Sequence, residues 1–166
     1  MYGSKLSLVI IGLLAIGATC FSYWPQSEHW PKIRNLENES ELQLPRSRDR
    51  VLIVHFWASW CEPCREEFPK LAQAMSQIAA IADLQLISLD EGRDEALRFL
   101  KSMGLPVKAN TAGWDPMKLL SIRLGTSKMP ETYIFTRDGK LERKISGPMN
   151  WTDPVNLDYF RNIAGN

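Results

Sequence analysis

Val51-Leu52-Ile53-Val54-His55-Phe56-Trp57-Ala58-Ser59-Trp60-Cys61-Glu62-Pro63-Cys64 is the stretch that decides the fold. Its first seven residues are β-rich and apolar on both alternating faces, the pattern of a central strand covered on each side. Beyond it, Phe68, Leu71, Ala72, Met75, Ile78 and Ala79 recur at helical spacing, which predicts a helix starting near Cys61 and bent at Pro69. The C-x-x-C therefore falls where a buried strand passes into a helix. A spacing of three puts both sulfurs on one helix face, close enough to bridge. Cys61 is expected at the helix N-terminus, where unpaired N–H groups and the helix dipole favour a thiolate. Cys64 lies one turn further in and is expected to be more buried. Thiol-disulfide exchange follows from that asymmetry: Cys61 forms a mixed disulfide with a partner and Cys64 resolves it.

Working outward, Leu84 to Leu89 reads as a second buried strand, and Arg93 to Met103 as a helix ending at Gly104. Asp115-Pro116 is expected to open a third helix running to about Gly125. Glu131 to Thr136 and Leu141 to Ser146 read as strands joined by the turn Arg137-Asp138-Gly139-Lys140, and Asp153-Pro154 opens a last helix. The order β-α-β-α-α-β-β-α with a late antiparallel hairpin implies an α/β fold, a central mixed sheet flanked by helices. Trp114 and Trp151 read as packing residues. Residues 25–50 mix Pro, Asn, Ser and alternating charges, and read as a tether and domain edge with room for a short strand. The domain itself is placed at 51–166.

The 166 residues carry a net charge of +1, with 45% hydrophobic and 23% charged residues. This balance argues against disorder and offers no electrostatic case for nucleic acid. Residues 1–24 are set apart as a membrane anchor or signal segment: Leu6 to Trp24 is an uncharged, mostly apolar run preceded by Lys5. As a helix it would reach about 28 Å, close to a bilayer's hydrocarbon core. Lys5 before the run and Tyr23-Trp24 after it orient the N-terminus toward the cytoplasm and the domain outward. Three readings share that destination: a retained anchor, a signal peptide cleaved after Ala15-Ile16-Gly17, or a lipoprotein modified at Cys20.

Alternatives to exchange chemistry stand beside it. A C-x-x-C is also half a metal site, but the remaining cysteine is Cys20 and the histidines are His29 and His55, which is poor support for structural zinc. Cu(I) suits two soft thiolates better. Two inert core cysteines fit badly at a strand-to-helix junction beside Trp60.

The segment Phe56 to Pro69, with Cys61-Glu62-Pro63-Cys64 at its heart, resembles the active-site segment of membrane-tethered bacterial thioredoxin-like proteins of the TlpA, ResA and CcmG type. Met129-Pro130-Glu131-Thr132-Tyr133-Ile134-Phe135 resembles their second signature, and Asp138-Gly139-Lys140 their hairpin. The likeness covers about Val51 to the C-terminus. It implies a thioredoxin-like fold and a thiol-disulfide oxidoreductase whose redox group is the cysteine pair itself, with no further cofactor and no metal. It also implies a cis Met129-Pro130 bond beside the cysteines, leaving the main chain of Met129 open to an extended substrate, with Trp60 nearby. The implied partners are protein disulfides, namely the haem-attachment cysteines of apocytochrome c or the thiols of a copper-delivery protein, and a membrane-bound electron donor. The alternative function is a disulfide oxidant or isomerase, or a Cu(I)-binding module without turnover.

Acidic residues bear on the direction of electron flow. Negative charge near Cys61 withholds stabilisation from the thiolate and makes the pair a better reductant, while Arg65 pulls the other way. The resemblance puts a functional acid at Glu67 in ResA-like proteins and at Glu131 in CcmG-like ones. Glu66 reads as a solvated face, and Glu62 as either. His55 departs from thioredoxins, which carry a buried acid six residues before the first cysteine. It reads either as a buried histidine satisfied by one hydrogen bond or as an acceptor for the Cys64 proton.

Overall fold

The apolar run at 51–57 is the middle of a seven-stranded sheet in the computed structural model, which describes residues 30–44, 50–105 and 111–165. The strands are β1 (Ile33–Asn35), β2 (Glu41–Leu42), β3 (Val51–Trp57), β4 (Ala82–Ser88), β5 (Ala112–Trp114), β6 (Glu131–Phe135) and β7 (Leu141–Ser146). The helices are α1 (Glu62–Ile81), α2 (Arg93–Ser102), α3 (Leu119–Leu124) and α4 (Pro154–Gly165). Strand order is β2-β1-β5-β4-β3-β6-β7, with β3, β4 and β5 parallel and the other pairings antiparallel. The sheet is mixed and helix-flanked, as the sequence predicts.

Every residue of β3 is buried, because both sheet faces carry a core. Val51, Ile53 and Trp57 point into a cluster with Phe68, Phe99, Trp151 and Phe160, contributed by α1, α2, the 149–151 segment and α4. Leu52, Val54 and Phe56 point the other way, to Tyr133, Phe135 and, from α3, Leu120 and Leu124. This alternation decides which polar side chains can meet, since neighbours in a strand face opposite sides.

Three local expectations need correction. First, β5 is an additional strand at Ala112–Trp114, too short to show a period. Its Gly113 is closely packed: a Cβ there would lie 2.6 Å from Ile87 Cδ1 and 2.9 Å from Leu42 Cδ2, so these side-chain ends would have to shift. Second, the tether segment adds β1 and β2 to the sheet edge, where the sequence allowed one short strand. Third, the helix expected from Asp115 begins at Leu119, because Lys118 adopts a left-handed conformation (φ 57°) that the α-helix does not continue through. Asp115 still supplies the capping chemistry, its carboxylate accepting the N–H groups of Leu119, Leu120 and Ser121. Helix α1 runs on through Pro69 for 20 residues.

The anchor or signal reading of residues 1–24, Cys20 and His29 lie outside the described residues. Among the described residues, no helix is long and apolar enough to cross a membrane.

Candidate active site: a cysteine pair beside an apolar groove

Strand β3 ends at Trp57, and the chain turns through Ala58-Ser59-Trp60 into α1. Asp90, buried just beyond β4, braces this turn. Its carboxylate accepts the Ser59 N–H at 3.0–3.1 Å and the hydroxyls of Ser59 and Ser88, while its carbonyl accepts Trp114 Nε1–H at 2.9 Å. Cys61 is the N-cap of α1, its Sγ accepting the Cys64 N–H at 3.3 Å, and Pro63 sits in the first turn. The two sulfurs are joined, with Cα atoms 5.3 Å apart. Cys61 is 6% exposed and Cys64 fully buried, the asymmetry predicted for an attacking and a resolving thiol. Trp60 projects 64% exposed next to them.

The Met129–Pro130 bond is cis. Met129, Trp60, Cys61, Leu89 and Ile122 line one open groove of about 580 Å³. One wall of it is α3, so the turn capped by Asp115 shapes the approach to Cys61. Burial raises the Asp115 carboxyl above its ordinary value, against the pull of the three N–H groups it accepts.

The three proton-handling candidates separate by strand parity. His55 lies on the α1 side of the sheet, its ring edge-on to Trp151 and tilted against Phe68. Glu67, one turn beyond Cys64, is buried on the same side. Its Oε1 approaches His55 Nε2 to 2.9 Å without the alignment of a hydrogen bond, and its Oε2 accepts the Met149 N–H at 2.8 Å. His55 Nδ1 lies 3.0 Å from Thr132 Oγ1. Glu67 also lines a second groove with Glu66, Lys70, Pro148, Met149 and Asn150, sharing no residue with the first.

Glu131 starts β6 on the opposite face and is fully buried. It is bound by Tyr133 Oη at 2.9 Å, the Ser127 N–H at 3.2 Å, Lys144 Nζ at 3.2 Å and the Ser146 hydroxyl. Burial pushes its carboxyl up, but the hydrogen bonds from Ser146, Tyr133 and Lys144 and the Lys144 charge prevail and hold it below the ordinary value. Glu62 and Glu66 are exposed, and Glu62 lies 3.7 Å from Arg65. Among the described residues, no group of three His, Cys, Asp or Glu side chains is placed to hold a metal.

A family model described as thioredoxin-like matches residues 49–141. The chain belongs to the thioredoxin-like family. It is 34% identical over 106 residues to the thiol:disulfide interchange protein DsbE homolog of Paracoccus denitrificans, covering 64% of this chain and 56% of that one. It is 26% identical over 129 residues to the thiol-disulfide oxidoreductase ResA of Bacillus subtilis, covering 76% and 68%. A solved secreted thiol-disulfide isomerase from Corynebacterium glutamicum matches with a TM-score of 0.70 at 22% identity, over 82% of this chain and 86% of that one. That last likeness speaks for the fold. The chain spans just over half the length of the curated relatives it matches at above 30% identity. The resemblance read from the two motifs therefore holds at the level of the family, and Cys61 and Cys64 of this thioredoxin-like domain are joined as a disulfide.

Sequence reasoning named the cysteines, Trp60, Met129, Pro130, His55, Glu67 and Glu131, but it missed Asp90 and gave Asp115 as a helix start without its place beside the groove. Asp90 follows a predicted strand, a placement that signals a loop acid without showing that it reaches back 31 residues to Ser59. Lys144, the counter-ion of Glu131, sits in a predicted strand and is recognisable only once β7 is paired with β6.

Proposed function

We propose that this chain is a thiol-disulfide oxidoreductase that reduces disulfides of client proteins on the outer side of a cytoplasmic membrane, to which residues 1–24 tether it. The observation that carries the chemistry is the unequal pair: Cys61 at a helix N-terminus beside an open groove, and Cys64 sealed behind it. In the reduced protein the Cys61 thiolate attacks one sulfur of a client disulfide, and the client's other sulfur leaves as a thiolate. Cys64 then loses its proton and attacks Cys61 Sγ, which restores the Cys61–Cys64 disulfide and releases the client as a dithiol. His55 and Glu67 are the proposed acceptors of the Cys64 proton, since they share its face of the sheet and Glu67 reaches a groove of its own. Glu131, held ionised by Lys144 on the far face, is assigned to holding β6 beside the groove. Trp60 and Met129 form the client-facing surface, while Pro130, expected to share it, is buried and contributes the cis bond after Met129.

Relatives named thiol:disulfide interchange proteins support this reading. The proposed clients are the haem-attachment cysteines of apocytochrome c or the thiols of a copper-delivery protein, with electrons arriving from a membrane-bound donor. The reduction potential tests the direction. A value below about −200 mV supports a reductant, and one near −120 mV, where strong oxidants lie, overturns it.

A further inference from the structure

The groove beside Cys61 carries a chemical bias that general exchange chemistry does not require. Its lining includes Ile122 of α3, 70% exposed, and Trp60, 64% exposed, and outside the lining Leu119 and Met117 are exposed as well. Large apolar side chains left in water this way mark a contact surface. Two cations, Lys118 and Lys128, line the same groove, and neither meets a carboxylate among the described residues. The groove's one acid, Glu62, has Arg65 at 3.7 Å. Lys118 is also a non-glycine residue in the left-handed region, with φ 57° and ψ 24°. A lysine gains nothing locally from that backbone conformation, which glycine adopts without cost. The turn is held by the buried Asp115, whose carboxylate gathers three N–H groups while its carbonyl accepts the Lys118 N–H. The cation is thus delivered to the groove at some expense in stability, a pattern that accompanies function.

We infer that this groove selects client segments that carry a bulky apolar side chain and a carboxylate beside the reacting cysteine, with Lys118 and Lys128 receiving the carboxylate and Ile122 and Trp60 the apolar group. The inference rests on the exchange reading above and names its substrate class. An anionic client suits exposed cations without ionic partners among the described residues, an attraction that salt screens.

The test uses three disulfide-bonded peptides that share a leucine next to the cysteine and differ at one flanking residue, Asp, Asn or Lys. Rates of reduction by the reduced protein are measured at low salt and at 1 M salt. The expected order is Asp, then Asn, then Lys, spread over about tenfold at low salt and compressed at high salt. Lys118→Glu combined with Lys128→Glu is expected to reverse the order. Lys118→Gly is expected to raise Tm by about 2–4 °C while narrowing the Asp-to-Lys ratio. Equal rates for the three peptides, or an unchanged order in the double variant, overturn the inference and leave the exchange reading standing. A fall in Tm for Lys118→Gly overturns the claim that the lysine is held there at the fold's expense. Failure to reduce any peptide removes both readings.

Discussion

Glu67 and Glu131 are both buried glutamates, they lie on opposite faces of one sheet, and their partners make them different instruments. Glu131 is saturated: a permanent cation, two hydroxyls and a backbone N–H leave it a fixed charge, held ionised. Glu67 has one backbone N–H and a misaligned contact with the His55 imidazole. The carboxylate that faces lysine is the one proposed as an anchor, and the one that faces histidine on the resolving cysteine's side of the sheet is the one proposed to take its proton. Residue type does not separate these roles; the partner does.

The most severe way to break this comparison is to remove what it serves. Cys61→Ser is expected to abolish disulfide reduction, and Cys64→Ser to accumulate a mixed disulfide with the client, seen by mass spectrometry as a covalent adduct. Absence of any adduct would contradict the assigned order of attack. Next in size, Glu67→Gln is expected to slow client release from the mixed disulfide about a hundredfold with the fold intact by circular dichroism, and Glu131→Gln to leave that step nearly unchanged. The reverse ranking would exchange the two roles.

Glu131→Gln instead acts on stability, by about 1–3 kcal/mol near neutral pH in denaturant titrations. Its sign with pH follows from the depressed carboxyl: the wild-type stabilisation is present above the ordinary carboxylate range and is lost as pH falls through the lower folded value. The gap between wild type and Glu131→Gln should therefore close in acid, and a gap that widens there would refute the anchor role. The smallest effect is expected at the brace: Asp90→Asn weakens the acceptance of Ser59 and should lower Tm by about 2–4 °C.

Much of this was legible locally. A β-rich run apolar on both sides could only be a covered strand, and β3 is one. The C-x-x-C at its end set the sulfur spacing, and the turn at 137–140 set the hairpin of β6 and β7. What escaped was either too short for a period, as with β5, or dependent on a residue far along the chain. Lys118 shows the limit within a single turn: Asp115 signalled a helix start, and the left-handed residue that delays it carries no sequence mark.

Sequence alone determined the elements and the reactive pair, because propensity, hydrophobic period and a three-residue spacing act between near neighbours. It also contained the parity that separates His55 from Phe56. Only the tertiary structure decided that His55 meets Glu67, that Lys144 neutralises Glu131, and that Asp90 holds Ser59. Those pairings join residues 12, 13 and 31 positions apart through strand register and helix packing, which local patterns do not encode.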